Sequence, residues 1–199
     1  MTIKGAYGFS SDSNMANIGG GMLSLSSFIE TEDLVHELSF TAGLFSSSPK
    51  HYDLATKSMS DLYKVGNLFG YSTQQVDKMV TANNIDAANL RVRCQTAFPL
   101  LAGYNLNIPI SANSVHFFLG AKAGVTISTW RDNLNLVYSN ARRESKSYSQ
   151  TKYDFTYSVT AGFRFSVSET ADIVLAYELL KIKNIDPYHL IELGVSWTF

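Results

Sequence analysis

The sequence predicts an all-β fold: an eight-stranded antiparallel up-and-down transmembrane β-barrel with a short helical insertion between strands three and four. Three observations point there. Apolar and polar residues alternate over unusually long stretches, the strands are even in number, and their connections tend to alternate between short and long. Period-two alternation marks a strand with one apolar and one polar face. A membrane-crossing strand needs about 9–11 residues, against about five or six for a globular one.

The clearest stretch runs from Tyr153 to Val167. Tyr153, Phe155, Tyr157, Val159, Ala161, Phe163, Phe165 and Val167 form one face, and Asp154, Thr156, Ser158, Thr160, Gly162, Arg164 and Ser166 form the other. Taken in order, the strands near 2–10 (TIKGAYGFS) and 17–29 (NIGGGMLSLSSFI) alternate more weakly, being rich in glycine and serine. The third, near 35–46, is clear. The fourth sets Leu90, Val92, Cys94 and onward to Tyr104 against Arg91, Arg93, Gln95 and onward to Gly103. The fifth sets Val115, Phe117, Leu119 and onward to Ile127 against His116, Phe118, Gly120, Lys122 and onward to Ser128. The seventh lies near 172–183. The eighth places Ile191, Leu193, Val195, Trp197 and Phe199 outside, with Glu192, Gly194, Ser196 and Thr198 inside.

Short turns follow the even strands, at ETED, NIPISANS and SET. Longer connections follow the odd strands, with the short NIDP as the exception. Outer-membrane barrels carry short periplasmic turns and longer extracellular loops. The third connection, about 50–85, holds Ser72-Thr73-Gln74-Gln75, a capping box with Ser72 as N-cap. One or two short helices are expected between about 53 and 82. Residues 1–199 read as one barrel domain carrying this insertion.

Composition narrows the function classes. The 16 Lys+Arg and 17 Asp+Glu nearly cancel, so no nucleic-acid partner is expected. A barrel averages an apolar lipid face with a polar lumen, which suits a mean hydropathy of -0.02. No apolar run reaches the roughly 18 residues of a transmembrane helix. The N-terminus MTIKGAYGFSSDS has no apolar signal core, so either a signal has been removed or the protein is cytoplasmic. Cys94, the single cysteine, fits no metal motif and forms no disulfide within the chain.

The alternating final strand, Ile191, Leu193, Val195, Trp197 and Phe199, resembles the terminal signal of bacterial outer-membrane barrels. The stretch FFLGAKAGV after Pro109 resembles their fifth strand. The whole chain resembles the small eight-stranded outer-membrane β-barrel family, the OmpA/OmpX-like group. The resemblance implies residence in the bacterial outer membrane, with lipid and lipopolysaccharide around the wall. It also implies that the barrel-assembly machinery takes up the C-terminal strand. Trp197, Phe199, Tyr153 and Phe165 are the expected membrane-interface aromatics.

Parity gives an inward ionisable set of Lys4, Glu37, Arg91, Arg93, Lys122, Arg164, Glu178 and Glu192. Buried charges require partners. Strand position predicts a salt-bridged plug of Lys122, Glu178, Glu192 and Arg164, with Lys4 and Glu37 near the periplasmic mouth. The leading expectation is a filled, non-conducting lumen and a structural or surface-interaction role; the alternative uses of that lumen are a gated narrow pore or an outer-membrane enzyme. Of the histidines, His36 and His189 face outward, His51 lies in the long connection, and His116 points inward without an obvious serine–acid partner. No catalytic residue, metal site or cofactor is expected. The glycines 19–21 lack the Lys-Ser/Thr of a phosphate loop and suit close packing or a bend. The basic run ARRESK (141–146) is either a solvated loop tip or a contact for lipopolysaccharide phosphates. A surface ligand, if bound, would engage loops 49–88 and 131–151. A soluble lipocalin-like carrier is the reading from a different class, and it needs the bulky residues inside.

Overall fold

The computed structural model describes residues 1–10, 17–31, 34–54, 57–81, 85–111, 114–140, 142–183 and 187–198, without the side chains of 81, 85–87 and 111. The described residues form β1 (Thr2–Ser10), β2 (Ile18–Glu30), β3 (Val35–Ser47), β4 (Lys50–Asp53), α1 (Met59–Leu68), α2 (Thr73–Thr81), β5 (Ile85–Ser111), β6 (Val115–Tyr138), β7 (Arg143–Ser168), β8 (Ala171–Ile182) and β9 (Tyr188–Trp197). The strand order is β3-β2-β1-β9-β8-β7-β6-β5-β4, and β3 also pairs with β5. That pairing closes a ring of eight strands, to which short β4 is added through β5. The first and last strands pair antiparallel from Thr2↔Ser196 to Ser10↔Tyr188. The Met1 ammonium donates to the Trp197 carbonyl at 2.6 Å, and the Trp197 N–H donates back to Met1 at 2.7 Å. Closure leaves the ring no free edge.

The chain forms two compact units. Met1–Ser48, Gln95–Ser128 and Thr151–Phe199 make the first, and Pro49–Cys94 with Thr129–Gln150 make the second.

In the first unit, side chains alternate across the wall. Thr2, Lys4 and Ala6 are buried, while Ile3, Tyr7 and Phe9 are exposed; the same contrast separates Thr156, Ser158 and Thr160 from Phe155, Tyr157 and Val159. The exposed face is therefore apolar and the enclosed face largely polar, the inverse of a soluble barrel. Enclosed apolar residues gather in a cluster of Ala6, Ile18, Met22, Phe45, Leu101, Leu180, Tyr188 and Leu190 and in a smaller one of Phe118, Val174 and Ala176. Gly20 lets β2 approach β3: a Cβ there would lie 2.0 Å from the Leu44 carbonyl oxygen.

In the second unit, Ser58 caps α1 by accepting from the Asp61 N–H at 3.3 Å. Gly70, at φ +81°, takes the left-handed position after the helix, which suits glycine. The predicted capping box opens α2: Gln75 N–H donates to Ser72 Oγ at 3.2 Å, and Ser72 N–H donates to Gln75 Oε1 at 2.8 Å. Leu54, Phe69, Tyr71, Val76, Leu134 and Leu136 form the core of this unit.

The polar stretch 131–151, expected as a loop, is instead mostly β-hairpin, with β6 continuing to Tyr138 and β7 starting at Arg143. Leu134 and Leu136 bury one face. On the other, Ser147 donates to Asn133 at 2.7 Å and Ser145 to Asn135 at 2.9 Å, so polar cross-strand pairs support the ladder.

Candidate functional site

Ion pairs lie inside the ring. Lys122 of β6 meets Glu178 of β8 at 2.5 Å, and Lys4 of β1 meets Glu192 of β9 at 2.9 Å. Arg164 of β7 meets Glu37 of β3 at 3.0 Å and stands 3.9 Å from Asp172. Strand register supplies further donors. Thr160, directly opposite Glu178 on β7, donates to it at 3.2 Å, and Ser26 donates to Glu37 at 2.6 Å. The Lys4 ammonium also stands 5.9 Å from the centre of the Phe118 ring. Each of these buried charges thus has a counter-charge, without which burial would cost several kcal/mol per ion, on the order of 3–5. The cavity among Thr2, Lys4, Glu37, Lys122 and Arg164 has a volume of only about 10 Å³.

The structure rearranges the expected set. Lys4 and Glu37, expected near the mouth, are partners within these ion pairs, and Arg164 pairs with Glu37 rather than with the lysine–glutamate group. Arg91 and Arg93 do not belong here. They lie in the second unit, where Arg91 is half-buried opposite His51 in the β4–β5 ladder and Arg93 is exposed. β5 runs through both units, and the residues it buries differ between them: Cys94 in the second, Pro99 and Leu101 in the first. Parity that marks the lumen in the first unit therefore does not mark it for Arg91 and Arg93 in the second. The enclosed apolar cluster was missed as well. Its signal was present in Leu180 and Leu190, which share the parity of Glu178 and Glu192 on their strands.

On the outer face Tyr153 is 72% exposed and Phe165 38%, while Trp197 is half-buried; Phe199 lies outside the described residues. His36 Nδ1 hydrogen-bonds the Tyr104 hydroxyl at 2.6 Å. His189 Nδ1 bonds the Tyr177 hydroxyl and stacks against Phe9. These pairs satisfy polar groups on an apolar surface. His116 is half-buried beside Arg164 and Asp172 in a cavity of about 190 Å³.

The second unit holds a different cluster. Glu144 accepts from the Tyr71 hydroxyl at 2.7 Å and the Tyr138 hydroxyl at 2.8 Å. These bonds hold the Glu144 carboxyl below its ordinary pKa. Burial, followed by the bond to Glu144, pushes the Tyr71 phenol up. The Lys146 ammonium lies 3.7 Å from the centre of the Tyr71 ring, donates to the Phe69 carbonyl at 3.5 Å, and stands 3.7 Å from Glu144. Part of the basic run at 141–146 is thus committed to internal contacts. Arg142 stays exposed, with its guanidinium 5.7 Å from the centre of the Tyr138 ring.

The family model of the outer membrane protein beta-barrel domain matches residues 3–199. Similar solved structures include Ail, the attachment invasion locus protein of Yersinia pestis, at 13% identity and TM-score 0.42, covering 100% of this chain and 95% of that one. Neisserial surface protein A stands at 13% identity and TM-score 0.42, with 100% and 94% covered. The N-terminal β-barrel domain of Pseudomonas aeruginosa OprF stands at 13% and 0.43, with 100% and 96% covered. No curated protein matches the sequence.

Proposed function

The chain belongs to the outer membrane protein β-barrel family and resides in the bacterial outer membrane, and on that premise we propose a closed, non-conducting barrel that acts at the cell surface. The wall is the anchor, surrounded by lipid and lipopolysaccharide, and β9 is the strand the assembly machinery engages. Segments 49–88 and 131–151 carry surface contacts. The supporting observation is the lumen. Paired charges face one another across a cavity of about 10 Å³, roughly the room for one water. The reading assigns the protein no catalytic step, and His116 serves packing at the barrel end.

Planar-bilayer recording of the purified protein tests this. A quiet bilayer is expected despite verified insertion. Discrete conductance steps would replace the reading with a narrow pore.

A further inference from the structure

Within the second unit, α2 and the turn after β6 wall a cleft of about 670 Å³. This is within the size range of small-molecule sites. Gln75, Lys78 and Met79 line one side, and Tyr138, Asn140 and Arg142 the other. Among the described residues, no carboxylate lines it. Asp77, next to Lys78, already accepts the Tyr63 hydroxyl, and Glu144 accepts Tyr71 and Tyr138.

Two amide oxygens of the cleft are engaged within the unit. Gln75 Oε1 accepts from Ser72, and Asn140 Oδ1 accepts from the Arg142 N–H at 3.1 Å. The amide nitrogens of both residues remain as donors beside the Lys78 ammonium and Arg142 guanidinium. Met79 and the Tyr138 ring, both half-buried against the core of the unit, supply an apolar surface.

We propose that this cleft binds a small organic phosphate the size of a sugar phosphate. The phosphate oxygens would take the four donors, and the organic part would rest on Met79 and Tyr138. Cations on opposite walls favour an anion over a neutral sugar. The inference deepens the surface-interaction reading and rests on it.

Calorimetric titration of the full chain, refolded free of lipopolysaccharide in detergent, tests the assignment. The probes are glucose 1-phosphate, glucose and inorganic phosphate. Saturable binding of glucose 1-phosphate is expected, with a Kd on the order of 1 mM. Inorganic phosphate should bind more weakly, and glucose should show no saturable binding. Lys78→Gln and Arg142→Gln should each weaken binding about tenfold, the scale of one charged hydrogen bond. Lys64→Gln, an exposed cation on α1 outside the cleft, should not. Retained resistance to cold SDS shows that each variant is folded. No saturable binding, equal binding of glucose, or equal weakening by Lys64→Gln would overturn the site. Inorganic phosphate binding as tightly as glucose 1-phosphate would overturn the seat on Met79 and Tyr138. Bilayer conductance would sink the closed-lumen reading without touching this result, and a failed titration would leave the closed lumen standing.

Discussion

Lys122 Nζ lies 2.5 Å from Glu178 Oε2, with the two side chains 3% and 0% exposed. Removing one partner strands the other charge in the lumen. Lys122→Met should therefore cost about 3–5 kcal/mol. Lys122→Met combined with Glu178→Leu should recover most of that loss, because neither charge remains. Urea unfolding in lipid vesicles, followed by tryptophan fluorescence, measures both. A single variant as stable as wild type would show that the pair is not desolvated as described.

Neighbouring glycines should behave differently. A Cβ at Gly20 would meet the Leu44 oxygen at 2.0 Å and Phe45 Cα at 2.8 Å, whereas one at Gly21 comes no closer than 3.5 Å, to the Lys4 oxygen. Gly20→Ala should destabilise by about 1–3 kcal/mol, as overpacking does, and lower refolding yield. Gly21→Ala should be close to neutral. Equal effects of the two would refute strand approach as the reason for Gly20.

The cluster around Glu144 should make its unit pH-sensitive. A carboxyl whose folded pKa is depressed contributes stability above its unfolded value, and loses it as pH falls through the folded value. Glu144 is held below 4.5 by the hydroxyls of Tyr71 and Tyr138. Amide protection factors over 59–81 should hold from neutral pH down to 4.5 and fall below it. Glu144→Gln should lower protection at neutral pH and flatten the acid dependence. An unchanged acid limb in that variant would place the sensitivity elsewhere.

The stretch from Tyr153 to Val167 was legible because its two faces meet opposite surroundings, and the helix start at Ser72 because its capping bonds are local. The longer reach of β6 and β7 was not legible. The apolar partners of Leu134 and Leu136 include Phe69, Tyr71 and Val76, far away in sequence, while Asn133, Asn135, Ser145 and Ser147 read as loop. The inward charges on six strands followed from parity alone. Their pairing did not, because it depends on strand stagger around a closed ring, which alternation does not encode. Arg91 and Arg93 failed because the part of β5 that carries them belongs to the second unit, a change of surroundings that alternation along the strand does not encode.

The most direct test of the plugged lumen is single-channel recording of wild type beside a variant emptied of both lysine–glutamate pairs: Lys4→Ala, Lys122→Ala, Glu178→Ala and Glu192→Ala together. Both should first be shown to fold by their resistance to cold SDS. A silent wild type and discrete steps in the emptied barrel are the predicted result. Steps in wild type, at the same amplitude as in the variant, would contradict it.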